Sequence, residues 1–241
     1  MNVRVGIAGA FGRLGSVALH AISAAPDLDV VAAFVRDTSS PAAVPLYDDI
    51  DAFYDVPMDV VVDCTVYPVS LDVARGALGA GVSPVIGATG WTDEDWVSFA
   101  DAVDTAAIGA MRVPNFSIGA VLMMRFAAEA AKFLPHVEIV EMHHENKRDK
   151  PSGTAKMTAQ RIAAAGGPAD VPIHSLRLPG FIAHQETIFG GPGETLTISH
   201  DSTSRESFAD GILLAVRNVR AQSGLVTGLD SIVFAARGTD L

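Results

Sequence analysis

Two adjacent histidines followed by a lysine, a glycine and a threonine mark the stretch of this chain best equipped for chemistry. Residues 141–155 read EMHHENKRDKPSGTA. An imidazole exchanges its proton near neutral pH, so His143 and His144 are candidate acids or bases. Lys147 follows four residues after His143 on a charged stretch, NKRDKP, that reads as a loop. As a mobile cation it can steer a carboxylate or supply a proton. Gly153 and Thr154 open an expected helix over 152–165. Backbone N–H groups there, with the Thr154 hydroxyl, make an anion site. Together these groups suit a substrate that carries carboxylates and has an atom to be protonated. Plainer readings exist: a charged loop is usually a solvated turn, and His-His is also a metal-ligand pair. Neighbouring strand residues point to opposite faces, however, and no cysteine cluster supports a metal, so none is expected.

A second constellation lies near the start, where residues 6–15 read GIAGAFGRLG. The run 3–9 reads as a strand, and 13–25 have helical spacing, with Leu14, Val17, Ala18, Ala21, Ile22 and Ala25 on one face. Gly6 ends the strand, and Gly9 and Gly12 lie in the turn. Glycine lets backbone N–H groups approach a pyrophosphate at a helix N-terminus. The spacing G-x-x-G-x-x-G is weak by itself and could be a simple turn; its place between strand and helix supplies the context that phosphate binding needs. The next expected strand, 28–36, ends at Val35, Arg36 and Asp37. An acidic residue at that point binds the ribose hydroxyls of NAD, whereas arginine suits the 2′-phosphate of NADP. Arg36 therefore favours NADPH, while Asp37 reads equally well as a solvated surface charge.

Further apolar runs at 58–65, 82–88 and 106–113 read as strands. A helix is expected after Pro68, and another after Thr92, which stands at capping-box spacing from Asp95. Near-continuous apolar strands alternating with helices predict a doubly wound parallel sheet of Rossmann type, covered on both faces. The texture changes after Pro114. A long apolar helix over 117–134 precedes a strand over 136–145, the helix 152–165, and strand-like runs at 171–178, 181–189 and 194–200, the last two joined by GGPG. Short links predict a second, mainly antiparallel (mixed) sheet in an α+β domain. A last helix near 205–220 and the tail GLVTGLDSIV return to the first domain. The expected division is a dinucleotide-binding domain over 1–114 with a return at 205–241, and a substrate-binding domain over 115–204.

The bulk numbers exclude several classes. A net charge of −11 argues against nucleic acid and anionic membranes as partners. It leaves room for an anionic small molecule, because Lys147, Arg148 and Lys150 form a local basic cluster. No apolar run reaches the roughly 20 residues of a membrane span. The opening MNVRVGIAGAFG lacks the pattern of a signal peptide, so the fold is expected to begin near Met1. The single cysteine, Cys64 in MDVVVDCTV, reads as a buried small hydrophobe. With no partner cysteine, a cytoplasmic location is expected. His20, His136, His174, His184 and His200 read as surface or structural residues.

The chain resembles the dihydrodipicolinate reductase family along essentially its whole length. The resembling segments are GIAGAFGRLG (6–15), VVDCT (61–65), GATG (87–90), VPNFSIGA (113–120), EMHHENKRDKPSGTA (141–155), GFIAHQETIFG (180–190) and SRESFADG (204–211). The histidine-pair segment is highly specific and the glycine loop is not. The resemblance implies reduction of 4-hydroxy-tetrahydrodipicolinate or dihydrodipicolinate to tetrahydrodipicolinate with NAD(P)H, in the diaminopimelate route to lysine. It implies that His143 is the general acid and Lys147 its partner, and that His144, Gly153 and Thr154 bind the substrate carboxylates. Gly9, Ala10, Phe11, Gly12, Arg13 and Leu14 would cradle the pyrophosphate. Gly87, Ala88 and Thr89, with Val113, Pro114, Asn115 and Phe116, would flank the nicotinamide. It also implies a homotetramer assembled through the second-domain sheets.

The chain departs from the family pattern at four points. Val35-Arg36 stands where the family often has Glu-Arg, which removes the usual NADH ligand; GATG replaces GTTG; Asn146 stands where a histidine is common; and the link at 166–170 is short. NADPH is therefore expected to be preferred, with some NADH use. Two other functions compete: a different Rossmann reductase acting on an amino or keto acid, which has no need of HHENKRDKPSGT, and a non-catalytic cofactor-binding protein, which has no need of both His143 and Lys147.

Overall fold

The computed structural model describes residues 1–235. Residues 236–241 of the expected C-terminal return lie outside the described residues. Backbone contacts divide the chain into two units, residues 1–116 with the segment from Phe208 onward, and Ser117–Ser207.

The first unit starts with β1 (Val3–Ala8), whose last four residues are fully interior. Helix α1 (Gly15–Ala24) follows, then β2 (Leu28–Phe34). The chain continues through the two-residue β3 (Leu46–Tyr47) and the short α2 (Ile50–Tyr54), neither of which the apolar periodicity marks. Next come β4 (Val60–Asp63), α3 (Val69–Gly79), β5 (Ser83–Ile86), α4 (Asp93–Ala106) and β6 (Ala110–Arg112). The strands order as β11-β6-β5-β4-β1-β2-β3, where β11 (Leu225–Thr227) arrives from the C-terminal return. Every pairing in this sheet is parallel. It is a Rossmann-like α/β sheet, as expected. Its strands are apolar on both sides because helices cover both faces. Phe53, Met58, Val61 and Val73 pack in one cluster, and Trp91, Trp96, Phe99 and Ile86 in another.

Several strands are shorter than their apolar runs. The run 106–113 becomes a three-residue strand because α4 extends to Ala106 and stops on a left-handed Ala107 (φ 54°). The Thr92–Asp95 capping box that starts α4 is formed as expected. The run 58–65 yields a strand only to Asp63, where the chain turns.

The second unit contains α5 (Ile118–Ala130), β7 (His136–His143), α6 (Gly153–Ala164), β8 (Ile173–Arg177), β9 (Ala183–Gly191) and β10 (Glu194–Ser202). Its sheet runs β10-β9-β7-β8. The β9–β10 and β7–β9 pairs are antiparallel, while β7 and β8 are parallel because α6 carries the chain back between them. Gly190 and Gly191 belong to β9, so the hairpin turn is only Pro192–Gly193, with Gly193 at φ +78°. The core of this unit joins Ala127 of α5 and Ile162 of α6 to Val137, Ile139 and Phe189 of the sheet. The C-terminal segment then forms α7 (Ala209–Asn218), β11 and α8 (Asp230–Ala235). α7 is shorter than the run 205–220 because its first residues form a 3₁₀ turn, Arg205–Phe208.

Candidate active site

In the first unit, the carboxyl ends of β1, β2, β4 and β5 open onto a cleft of about 830 Å³. It lies where the strand order reverses, between β1 and its neighbours β2 and β4, the place where open α/β sheets bind ligands. Of the expected cofactor residues, Gly9, Phe11, Gly12, Arg13 and Leu14 line it, as do Arg36, Gly87, Ala88 and Thr89. Ala10 is fully buried behind the loop. Val113, Pro114, Asn115 and Phe116 are not among the lining residues. Val113 and Phe116 are interior, and Phe116 packs under the loop: a Cβ on Gly87 would lie 2.7 Å from its ring and 3.0 Å from Leu14 Cδ2.

The loop fits a dinucleotide. Gly9 has φ +77°, and a Cβ there would approach the Cys64 carbonyl oxygen to 2.9 Å. α1 starts without a side-chain cap and without an acidic residue in its first turn, which leaves its dipole end for an anion. Gly15, quoted in the motif but given no role by spacing, is the tightest point, since a Cβ there would lie 2.0 Å from the Gly9 carbonyl oxygen. Val35 lines the cleft with its side chain largely interior, while Arg36 and Asp37 are exposed. One Asp37 carboxylate oxygen accepts the Ser39 N–H at 2.9 Å.

The opposite wall rests on Asp63, which has no exposed surface. Burial pushes its pKa up, against hydrogen bonds from Ser70 and Thr65. Its oxygens accept the Thr65 N–H at 2.9 Å, the Thr65 hydroxyl at 2.6 Å and the Ser70 hydroxyl. Trp91 Nε1 donates to the Ser70 oxygen at 2.9 Å. This network holds the turn after β4 and corrects the reading of Cys64. The cysteine is only partly buried and lines the cleft, because the strand stops one residue before it. Desolvation, with the Asp63 charge, pushes its thiol pKa up, so it is a poor nucleophile.

In the second unit, β7 positions the histidine pair. Val137, Ile139 and Glu141 alternate on its buried side, which puts a carboxylate with no exposed surface in the interior. Hydrogen bonds from His143, Arg177, Ser152 and Ser175 converge on it. His143 Nδ1 lies 2.5 Å from Oε2, Arg177 Nη1 donates to Oε2 at 2.9 Å and Nη2 to Oε1 at 2.7 Å, and the Ser152 N–H reaches Oε1 at 3.3 Å. Burial pushes the Glu141 pKa up, and the bonds from Arg177, Ser175 and His143 outweigh it, leaving the group below its ordinary value. Burial also lowers the pKa of His143, against the pull of Glu141 and with Lys147 and Arg177 adding to the lowering.

Lys147 is not a free cation. Its Nζ pairs with Asp149 Oδ1 at 2.8 Å, and its N–H donates to the His144 carbonyl at 3.1 Å, because the loop folds back on itself. Gly153 begins α6, one residue later than expected, since Ser152 is the cap and its hydroxyl accepts the Ala155 N–H. Thr154 is partly buried, and its carbonyl accepts the Thr158 hydroxyl, which accepts from Gln185. His144 is half-buried and lies past the end of β7, so strand alternation does not govern it. Among the described residues, no group of three His, Cys, Asp or Glu is placed to hold a metal ion. No described helix is long and apolar enough to cross a membrane.

Sequence reasoning missed Glu141 and Arg177. The signal for Glu141 was present in V-x-I-x-E, where period-2 alternation carries a glutamate into the core and so demands a partner. Nothing local marks Arg177, because its partner lies 36 positions away across a parallel pairing. His200 is half-buried with its Nε2 3.0 Å from the Ser117 hydroxyl, and His184 bonds Asp201 at 2.7 Å, consistent with structural roles.

Comparison with known proteins agrees over both units. Residues 3–116 match the family model "Dihydrodipicolinate reductase, N-terminus", and residues 119–233 match "Dihydrodipicolinate reductase, C-terminus". The 4-hydroxy-tetrahydrodipicolinate reductase of Geobacillus thermodenitrificans is 43% identical over 264 residues, covering 97% of this chain and 100% of the relative. That of Synechococcus elongatus is 39% identical over 269 residues, with 96% and 98% covered. Among solved structures, dipicolinate-bound dihydrodipicolinate reductase from Paenisporosarcina sp. TG-14 superposes with a TM-score of 0.87 at 37% identity, covering 96% of this chain and 100% of that one. With both family models matched in order and these relatives aligned nearly end to end, the chain belongs to the dihydrodipicolinate reductase family.

Proposed function

We propose that this chain reduces 4-hydroxy-tetrahydrodipicolinate, a cyclic imine dicarboxylate, to tetrahydrodipicolinate with a reduced nicotinamide cofactor, in the diaminopimelate route to lysine. The observation that carries the reading is His143, whose Nδ1 sits 2.5 Å from a buried carboxylate while the same carboxylate ties in the start of α6. A histidine held by one ring nitrogen has the other available for proton transfer. A helix start beside it suits a carboxylate. The relative from Paenisporosarcina binds dipicolinate, a ring with two carboxylates, which fits the same reading.

When bound, the reduced nicotinamide supplies a hydride from its C4 to the unsaturated ring. The 4-hydroxyl leaves as water to give dihydrodipicolinate, and His143 delivers a proton through Nε2 to the carbon next to the one that takes the hydride, so that one hydride and one proton saturate one double bond of that ring. Lys147 assists this delivery and holds negative charge near it. His144 and the N–H groups and hydroxyl of Gly153 and Thr154 orient the carboxylates. Backbone from Gly9 to Leu14 holds the pyrophosphate. Residues 87–89 and 113–116 serve the nicotinamide end, with Phe116 acting through its packing under Gly87.

The preferred cofactor is NADPH, with residual use of NADH. Three observations support this: Arg36 and Arg13 both line the cleft, the position before Arg36 is an inward-facing valine, and Asp37 is engaged with its own turn. The functional assembly is a homotetramer built through the four-stranded sheet, and the working compartment is the cytoplasm, in keeping with one poorly nucleophilic cysteine and no disulfide.

The test is oxidation of NADPH by the purified protein when it meets freshly made product of the preceding synthase, with amino and keto acids as comparison substrates. Rapid turnover confined to the cyclic dicarboxylate is expected. His143→Ala should lose about 10² to 10⁴ in rate while keeping its circular dichroism spectrum. Near-normal activity in His143→Ala, or turnover of open-chain keto acids alone, rejects the assignment.

A further inference from the structure

Arg177 and Glu141 have no part in the chemistry assigned to His143 and Lys147, yet they are the most completely enclosed charges beside them. Their side chains are 5% and 0% exposed. The parallel β7–β8 register sets Arg177 directly beside His143, with Ser175 beside Glu141. The guanidinium grips both carboxylate oxygens, and its Nη2 also donates to the Asp149 carbonyl at 2.7 Å, its Nη1 to the Leu176 carbonyl at 2.6 Å. Asp149 is the residue whose side chain pairs with Lys147. One buried ion pair thus touches the histidine, the loop that carries the lysine, and the cap of α6.

We propose that the Glu141–Arg177 pair is the positioning element of the acid site, fixing His143 as the Nδ1–H tautomer with Nε2 outward and holding the Lys147 loop and the start of α6 in register with it. The inference rests on the reading of His143 as the general acid. An ionised carboxylate only accepts hydrogen bonds, so the nitrogen facing Glu141 must carry the proton in either charge state of the ring. The bonds from His143 and Arg177 on Oε2 and from Ser152 and Arg177 on Oε1, joined by one from Ser175, occupy the accepting positions of the carboxylate. Glu141 is therefore no acid or base for substrate. Because Arg177 holds it in a planar two-bond fork, it cannot swing away from the imidazole.

The charged groups that face His143 are Glu141 from its own strand, Arg177 from β8 and Lys147 from the loop. Glu141 alone favours the imidazolium, and the two cations oppose it. Neutralising Glu141 therefore releases the tautomer and leaves the cations unopposed.

The test uses full-length protein with ¹⁵N-labelled histidine. In the unmutated chain, the neutral form of His143 should show a protonated Nδ1 and an unprotonated Nε2; the opposite tautomer overturns the proposal. Glu141→Gln should mix the tautomers and move the His143 titration to lower pH. The alkaline limb of kcat should move the same way, and kcat should fall roughly 10- to 100-fold, as for other partners that orient a functional histidine, with little change in substrate KM. Since a lone Arg177 charge left inside can unfold the single variant, the double variant Glu141→Gln/Arg177→Met, which leaves no buried charge, carries the same tautomer expectation. An unshifted tautomer in either folded variant, or an unshifted titration in folded Glu141→Gln, overturns the proposal whatever the activity. Full activity in His143→Ala instead removes the assigned reaction step and leaves the tautomer result standing.

Discussion

Replacing Gly15 by alanine tests the glycine loop at its least forgiving point. The added methyl would lie 2.0 Å from the Gly9 carbonyl oxygen, 2.7 Å from the Gly9 carbonyl carbon and 2.9 Å from Ala10 Cα, against 3.4 Å for ordinary contact. All three are backbone atoms, so no side chain can swing aside. The loop has no slack either. The Gly9 N–H donates to the Phe34 carbonyl at 2.8 Å, the Gly12 N–H donates to the Gly9 carbonyl at 2.9 Å, and Gly9 is backed by Cys64. Relief requires the loop to part from α1 by more than an ångström. Overpacking of this kind costs about 1–3 kcal/mol, and the rigid neighbours place it toward the upper end. At about 2–4 °C per kcal/mol for a chain of this size, Tm should fall on the order of 5–10 °C. The displaced atoms are those assigned to the pyrophosphate, and a misplacement of about 1 Å can lower catalysis roughly 10²-fold, so kcat/KM for NADPH should drop by that order. Thermal unfolding, NADPH fluorescence titration and steady-state kinetics read the three effects. Gly79→Ala is the control, since a Cβ there meets nothing within 4 Å. Unchanged Tm and unchanged NADPH binding in Gly15→Ala would show that the loop does not hold cofactor by close helix packing.

Arg36→Ala should weaken NADPH by about 10- to 150-fold, the range of one charge-assisted hydrogen bond, and leave NADH almost untouched; a wild-type kcat/KM that already favours NADH rejects the cofactor assignment. Thr154→Val removes a hydroxyl at nearly constant volume, so substrate KM should rise with NADPH binding constant, and the reverse pattern would take α6 out of the substrate site. Light scattering at assay concentration should report four chains, and a strict monomer would reject assembly through the four-stranded sheet.

Much of the fold was legible because it is local. Apolar runs with period-3.6 segments between them announced the parallel sheet, and the shift in texture after Pro114 announced a second one. The motif around His143 was legible because its residues lie within 15 positions of one another, at the junction of a strand and a helix. Other features depended on distant parts of the chain. The seventh strand, β11, has three residues and pairs with β6 across more than a hundred positions. The parallel placement of β8 beside β7 followed from the α6 crossover, and it alone put Arg177 next to His143. Cys64 has the composition of a core residue, and it lines the cleft because Asp63 ends the strand and binds the turn that follows. Residue types and their short-range spacing thus determined which groups could do chemistry here. Which ring nitrogen of His143 is committed, and how Lys147 is held, was decided by a buried ion pair that exists only once β8 lies beside β7, because a charge in the interior is tolerated only where the fold delivers its partner.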